Sequence, residues 1–198
     1  MKTKTLDIPL KGSRDYIQGP DLFNAAFETL AAEAGGPSGD FEIAFHRMAH
    51  RQVELIWDTE DVPNNAFALG SRANNGIRAR YWMREIETPL SDRQPYPEDE
   101  IVAQMRFDEA LSEAYLGTAF PYSDMEVWVS MIKALHQRRF ADAAGKWVFA
   151  RAKLKAYELT HAPAPLRVAL AATLGTKLTR NEVYLNDEKI GDVFFALM

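Results

Sequence analysis

Apolar residues crowd nearly every side of the stretch that follows Gly19: Leu22, Phe23, Ala25, Ala26, Phe27, Leu30, Ala31, Ala32 and Ala34. Pro20 suits the first turn of a helix, where its missing N–H costs nothing. Gly35, Gly36 and Pro37 supply a stop. A helix this apolar is buried, and at about fifteen residues it is too short to span a membrane. The same character returns from Ser123 to Arg139, with Met125, Val127, Trp128, Val129, Met131, Ile132, Ala134 and Leu135. Pro20 and Ser123 lie 103 positions apart.

Between and after these helices the period shortens to two. Leu6, Ile8 and Leu10 alternate with polar residues and predict a strand from Thr5 to Leu10. Phe41 to Trp57 predicts one long strand, with a bulge or bend near Met48 and Ala49 where the alternation slips. Ala66 to Leu69 begins another strand. Asn74, Asn75 and Gly76 tolerate positive φ and predict a tight hairpin into a strand from Ile77 to Ile86. Thr88 to Glu100 holds Pro89, Pro95 and Pro97 among its acidic residues and predicts a linker. Ile101 to Phe107 then predicts a strand, 108–120 fits no single period, and Lys146 to Leu159 predicts a second long strand. After a turn from His161 to Pro165, Leu166 to Leu174 predicts a strand. Glu182 to Leu185 and Ile190 to Leu197 predict a hairpin closed by Asn186, Asp187, Glu188 and Lys189.

The order strand, buried helix, long strand, hairpin therefore occurs twice. Phe41 and Trp147 are 106 positions apart, close to the helix offset, so the pattern repeats although the residues do not. Two units follow, 1–90 and 101–198, joined by 91–100.

Composition narrows what such a chain does. Among 198 residues, 23 Lys and Arg stand against 28 Asp and Glu, a formal net charge of −5, which disfavours a nucleic-acid partner. No cysteine is present, so disulfides, thiolate catalysis and Cys-ligated zinc are excluded. The start, Met1 to Asp7, lacks the apolar core of a secretory signal, and no apolar run reaches a membrane span; a cytoplasmic protein without membrane association is expected. Phosphate-binding glycine loops, a Gly-x-Ser-x-Gly elbow and dinucleotide fingerprints are all missing, so no nucleotide or other cofactor is expected.

A unit of about a hundred residues, with a buried helix wrapped by an antiparallel sheet, resembles the hotdog superfamily of thioesterases and dehydratases. The run from Glu182 to Leu197 resembles the closing hairpin of that family: two strands around a short Asp-containing turn, then a small apolar tail. The resemblance implies an α+β fold of two hotdog-like units in tandem, each an antiparallel sheet around a central helix. It implies an acyl thioester of coenzyme A or of an acyl-carrier protein as substrate, bound at the junction of two units. It places catalytic groups in the loop before the central helix and in the helix's first turns. Monomeric pseudodimer and homodimer are both open.

Those loops hold the candidate chemistry. Phe120 and Pro121 resemble part of the His-Phe-Pro-Gly loop of dehydratase hotdogs, but Ala119 precedes them and neither loop holds a histidine. A thioesterase is therefore favoured over a dehydratase. Thioester hydrolysis needs a base for water, or a carboxylate nucleophile, beside a donor that polarises the carbonyl. Asp124, one residue inside the second helix, and Asp21, at the equivalent place in the first, are the catalytic candidates, with Asp124 the lead. The helix dipole alone also favours Asp in a first turn. Gln18, Asn24 and Tyr122 are substrate-binding candidates. Ser123 and Glu126 have the spacing of a capping box. His46 and His50, four apart on a predicted strand, stand about 13 Å from each other and cannot share a metal ion; no metal site is expected. Their neighbours Arg47 and Arg51 suit an anion such as the phosphates of coenzyme A. Two rivals remain: a non-catalytic hotdog that binds acyl groups or serves assembly, and an α+β protein with a small-molecule pocket.

Overall fold

A computed structural model describes residues 1–34, 36, 39–74, 76–90, 92–161 and 165–198. The chain divides into two compact units: 1–96 with 155–158, and 97–154 with 159–198.

Unit 1 contains β1 (Lys2–Leu6), β2 (Leu10–Lys11), α1 (Gly19–Glu33), β3 (Gly39–Phe45), β4 (Val53–Trp57), β5 (Ala66–Asn74), β6 (Ile77–Glu85) and β7 (Arg93–Gln94). Its main sheet is antiparallel in the order β1-β4-β6-β5-β3, while β2 and β7 form a separate parallel pair. Helix α1 sits against β3 and buries Leu22, Phe23, Ala26, Phe27 and Leu30. The centre is aromatic. Phe23 meets Phe41 edge-on at 5.0 Å, and Phe27 meets Phe41 at 5.1 Å and Tyr157 at 4.9 Å, also edge-on. Edge-to-face geometry aligns ring quadrupoles favourably and adds about 0.5–1.5 kcal/mol per pair beyond burial. Tyr81 stacks on Phe41 and its hydroxyl donates to Glu42 O at 2.8 Å. Gly70 makes room for that ring: a Cβ there would stand 2.1 Å from Tyr81 Cζ and 2.4 Å from Glu42 O.

Unit 2 contains α2 (Glu98–Ala103), β8 (Arg106–Asp108), β9 (Glu113–Leu116), α3 (Asp124–Arg139), β10 (Trp147–Tyr157, its last residues belonging to unit 1), β11 (Leu166–Leu174), β12 (Leu178–Leu185) and β13 (Glu188–Leu197). The strand order is β10-β13-β12-β11-β9-β8, all antiparallel. Helix α3 packs on β9 and β11 and is buried without interruption from Asp124 to Ile132. Trp128, fully buried, donates Nε1–H to Tyr184 O at 3.2 Å.

Several expectations are corrected. The expected strand from Phe41 to Trp57 is two strands. β3 pairs with β5 and β4 with β1 and β6, so the residues between them cross the sheet rather than bulge. The crossing is pinned by His46 N–H to Phe67 O and Ile17 N–H to Ala49 O, both 2.8 Å. The expected strand from Ile101 to Phe107 is instead the end of α2 and then β8. Three acids in the first turn, Glu98, Asp99 and Glu100, follow Pro97 and favour a helix start. Buried Ile101 and the pair Glu98–Lys133, 2.8 Å, tie α2 to α3. The expected linker thus carries β7 and the first half of α2. Residues 5–10 divide between the end of β1 and the start of β2. Gly35, Pro37 and Asn75, and the middle of the turn after His161, lie outside the described residues; the strands flanking Asn75 pair as expected, Asn74 opposite Ile77.

If the aromatic cluster is the keystone of unit 1, Phe41→Ala lowers stability by about 3–5 kcal/mol. Denaturant unfolding at unchanged m-value reads this; a loss below about 1 kcal/mol would remove Phe41 from that role.

Candidate functional site

The N-terminus of α1 gathers four polar side chains. Gln18 is the N-cap, and its carbonyl accepts from the N–H groups of Asp21 at 3.1 Å and Leu22 at 3.2 Å. Its side chain makes no cap bond. Gln18 Nε2 is buried and finds no acceptor among the described residues. A buried donor left unsatisfied costs about 1–3 kcal/mol, which an incoming carbonyl oxygen would recover. Asp21, three positions on, accepts from Lys11 Nζ at 2.6 Å, both side chains only 11% exposed. Asn24 is half-buried one turn further along the same face. Lys11 reaches this place because β2 pairs with β7, Lys11 opposite Gln94; the same pairing brings the Tyr96 ring to 5.2 Å from its ammonium. Neither Lys11 nor Tyr96 stood out in the sequence. Their signal is a contact across more than eighty positions, which no local pattern carries.

The N-terminus of α3 is wired differently. Ser123 and Glu126 form the expected capping box: Ser123 Oγ accepts from Glu126 N–H at 3.1 Å and Glu126 Oε2 from Ser123 N–H at 2.9 Å. Asp124 is fully buried. Its Oδ1 accepts from Met125 N–H at 2.7 Å and its Oδ2 from the Thr160 hydroxyl at 3.2 Å, while its own N–H donates to Thr160 O at 3.1 Å. A bridge between Ser123 and His161 extends this seam. Asp124 therefore fastens the chain leaving β10 to the start of α3. Tyr122 is half-buried just before the cap.

Arg47 and Arg51 stand on the crossing between β3 and β4, together with His46 and His50, rather than on a strand. Arg47 pairs with Glu85 and Arg51 with Glu87. Glu85 also accepts from the N–H groups of His50 at 2.6 Å and Arg51 at 3.1 Å. Burial pushes the Glu85 pKa up, but Arg47 and those two N–H groups outweigh it and hold the carboxyl below its ordinary range. The crossing carries these cations to the end of unit 1 where α1 begins, because Ala49 is bridged to Ile17. Among the described residues no group of three or more His, Asp and Glu is placed to hold a metal ion, and no helix is long and apolar enough to cross a membrane.

A titrating group with a displaced pKa also lies away from both helix starts. His136, fully buried near the end of α3, has its pKa lowered to about 4, chiefly by burial, with the hydrogen bond to Asn181 opposing the shift. Nε2 lies 3.1 Å from Asn181 Oδ1 and 3.2 Å from Thr179 Oγ1. Asn181 Nδ2 donates to Val193 O at 3.2 Å, which orients its Oδ1 as the acceptor for Nε2–H. The rings of Trp147 and Phe195 close around the imidazole at 4.8 and 5.3 Å. Sealed in this way, His136 is a core residue of unit 2 and out of reach of substrate.

No family model matches the chain, and no curated protein matches it by sequence. Its structure is similar to that of a monomeric dehydratase domain from a trans AT polyketide synthase split module, with 9% identity and a TM-score of 0.54 over 100% of each chain. It is similar to the dehydratase domain of PpsC from Mycobacterium tuberculosis, solved with C12:1-CoA, with 13% identity, a TM-score of 0.53, and 99% of this chain and 92% of that one covered. It is also similar to an acyl-ACP thioesterase from Bacteroides thetaiotaomicron, with 10% identity, a TM-score of 0.52, and 99% and 96% covered. At such identities the likeness speaks to fold alone. The neighbours are hotdog-fold thioesterases and dehydratase domains, and the fold of this chain is of that kind.

The burial of neutral His136 makes stability depend on pH. Unfolded, its pKa returns to 6.5, so the unfolded chain binds the proton first as pH falls, and stability drops between about pH 6.5 and pH 4, by about 3 kcal/mol. Glu182 acts in a lower window. Its pKa is lowered from 4.5 to about 2 by hydrogen bonds from Lys189 and Tyr184, so its contribution is lost only below about pH 4.5. In His136→Gln, denaturation midpoints followed from pH 7 to pH 4 should lose most of their slope above pH 5. An unchanged slope would assign that acid sensitivity to other groups.

Proposed function

We propose that this protein binds an acyl thioester of coenzyme A or of an acyl-carrier protein and hydrolyses it, with unit 1 and unit 2 each a hotdog-like half. The observation that carries the proposal is the pair at the start of α1. A carboxylate held by Lys11 and a buried amide donor lacking an acceptor among the described residues lie within one helical turn. The neighbours that act on or bind acyl-ACP and acyl-CoA support the substrate class.

Asp21 takes a proton from water as the water oxygen attacks the thioester carbonyl carbon. Gln18 donates to the carbonyl oxygen as it gains negative charge. The tetrahedral intermediate collapses with cleavage of the C–S bond, and the thiolate leaves with the proton that Asp21 returns. The products are one carboxylic acid and one thiol. Lys11 sets its positive charge beside the Asp21 carboxylate, Tyr96 stands over that ammonium, and Asn24 lies one turn further along α1. Arg47 and Arg51, at the same end of unit 1, offer cations to the phosphates of the thiol carrier once their carboxylate partners yield.

Asp124 then has a fastening role. The second reading, a non-catalytic acyl-binding protein, is favoured by one observation: both loops before the central helices lack a histidine.

Free-thiol release from short, long and aromatic acyl-coenzyme A substrates tests the proposal. Asp21→Asn should lower kcat by about 10²–10⁴-fold while the chain stays folded at the assay temperature. Gln18→Leu should lower it by about 10²–10³-fold. Asp124→Asn should keep kcat and lower the melting temperature by roughly 2–10 °C, since an amide cannot reproduce both acceptor bonds. Loss of turnover in a fully folded Asp124→Asn would move the active half to unit 2. No release from any substrate by the wild type would leave the binding protein.

A further inference from the structure

Unit 1 has a concave place at the end of α1 opposite Gln18 and Asp21. The helix stops at Glu33, but the hairpin of β5 and β6 continues beyond it. On β6 the change is abrupt: Tyr81, Trp82 and Met83 are buried, while 77–80 are exposed. Pairing with β4 also begins only at Tyr81, opposite Trp57, so the outer edge of 77–80 carries no partner strand among the described residues. From Tyr81 back to Ile77 the hairpin overhangs by about 13 Å. The overhang, the last turn of α1 and the start of β1 enclose a cavity of about 440 Å³.

Its walls are apolar within and charged at the mouth. Leu30, Trp57, Tyr81 and Ala79 line it, and Ile77, 75% exposed, extends the apolar surface outward. Arg72 forms part of the floor, where Nη1 donates to Leu30 O at 2.8 Å and Nη2 to Gly36 O, capping the carbonyl end of α1. Of the charges at the mouth, Lys2 is bound to Glu33 at 2.6 Å and also feels Asp58. The Arg80 side chain makes no hydrogen bond or ion pair among the described residues. Three cations thus face two carboxylates, in a chain whose formal net charge is −5.

We infer that this cavity binds an amphiphile with one carboxylate head, its apolar body between Leu30, Trp57 and Tyr81 and its head at Arg80. The volume is that of a small-ligand site, and such sites pair apolar walls with a few polar groups that fix orientation. Exposed Ile77 and Ala79 gain cover when the body is bound. An arginine side chain matches a carboxylate with two parallel donors. This place is distinct from the start of α1: Asp21 and Glu33 are twelve residues apart, about 18 Å along the helix. The inference therefore stands whether or not Asp21 hydrolyses anything.

The test uses Trp57, which lines the cavity half-exposed while Trp82, Trp128 and Trp147 are buried. Tryptophan emission is followed while the full chain is titrated with decanoate, 4-phenylbutyrate, and the matched alcohol and amine of phenylbutyrate. A saturable shift with the carboxylates, at least tenfold weaker with the alcohol and amine, is expected. Arg80→Gln should weaken carboxylate binding about tenfold, and Ala79→Phe, which fills the cavity from an exposed position, should abolish it. Calorimetry on Trp57→Phe should still register heat of binding while the fluorescence change is lost. The inference is overturned if no carboxylate saturates the signal, if the alcohol binds as tightly as the acid, or if Ala79→Phe binds normally. Asp21→Asn should bind like the wild type, which keeps this outcome apart from that of the hydrolysis assay.

Discussion

Burial of a helix with no polar face is the constraint from which the rest follows. An amphipathic helix needs cover on one side only. α3 is buried at every position from Asp124 to Ile132, so it needs cover all round. A twisted antiparallel sheet is one way to give it, because the sheet curves and presents one apolar face along its length. β11 and β9 meet α3 directly, and β3 meets α1. The demand also fixes where polar chemistry is possible. Side chains in the middle of such a helix have no route to water, so its ends, with their unsatisfied N–H and C=O groups, are where polar groups collect. Gln18, Asp21 and Lys11 lie at one end of α1; Arg72, Glu33 and Lys2 lie at the other.

The two helix starts illustrate how similar sequence positions acquire different chemistry. Both have Asp in the first turn. At α3 the capping box satisfies two donors reciprocally, and Thr160 bonds Asp124 both at its carboxylate and at its backbone N–H. At α1 the cap is a glutamine whose amide reaches no backbone donor, and Pro20 removes one N–H altogether. The first arrangement maximises the stability of the helix start. The second leaves a strong donor buried and without an acceptor among the described residues, a defect that evolution tolerates where a ligand repairs it.

How much of this was legible in the sequence depends on the range of the contact. α1 and α3 could be read because all-round apolarity is local. The hairpin into β6 could be read because its turn chemistry spans a few residues. The run from Phe41 to Trp57 misled because β3 and β4 both alternate, and the crossing between them shows only as a slip of phase. α2 looks like a strand in the sequence because Ile101 and Val102 satisfy either period and the acids before them suit a linker as well as a helix start. The candidate site was half legible. The resemblance to hotdog helix starts points to Asp21 and Asp124 alike, yet the difference between them rests on Lys11, brought by the pairing of β2 with β7, and on Thr160, 36 positions from Asp124. Neither contact leaves a trace in spacing.

The overhang past α1 has the same origin as the site at its start. A fifteen-residue helix covers about 22 Å of sheet. β5 and β6 are nine residues each, and their far ends reach past that cover. A hairpin shortened to match the helix would have kept Ile77 and Ala79 out of water at no evident loss to the core, since Tyr81 already completes the ring cluster with Phe41. Retaining four exposed residues there, with a cation at the rim and aromatic rings behind it, places an apolar surface where folding alone does not require one. Arg72 sharpens the point. Capping Leu30 O needs only a single donor, and a guanidinium buried for that purpose brings a charge to the floor of a cavity that a neutral side chain could have closed. Burial lowers its pKa by disfavouring the charged form, and an anion seated in the cavity would reverse that effect, coupling the stability of the end of α1 to occupancy.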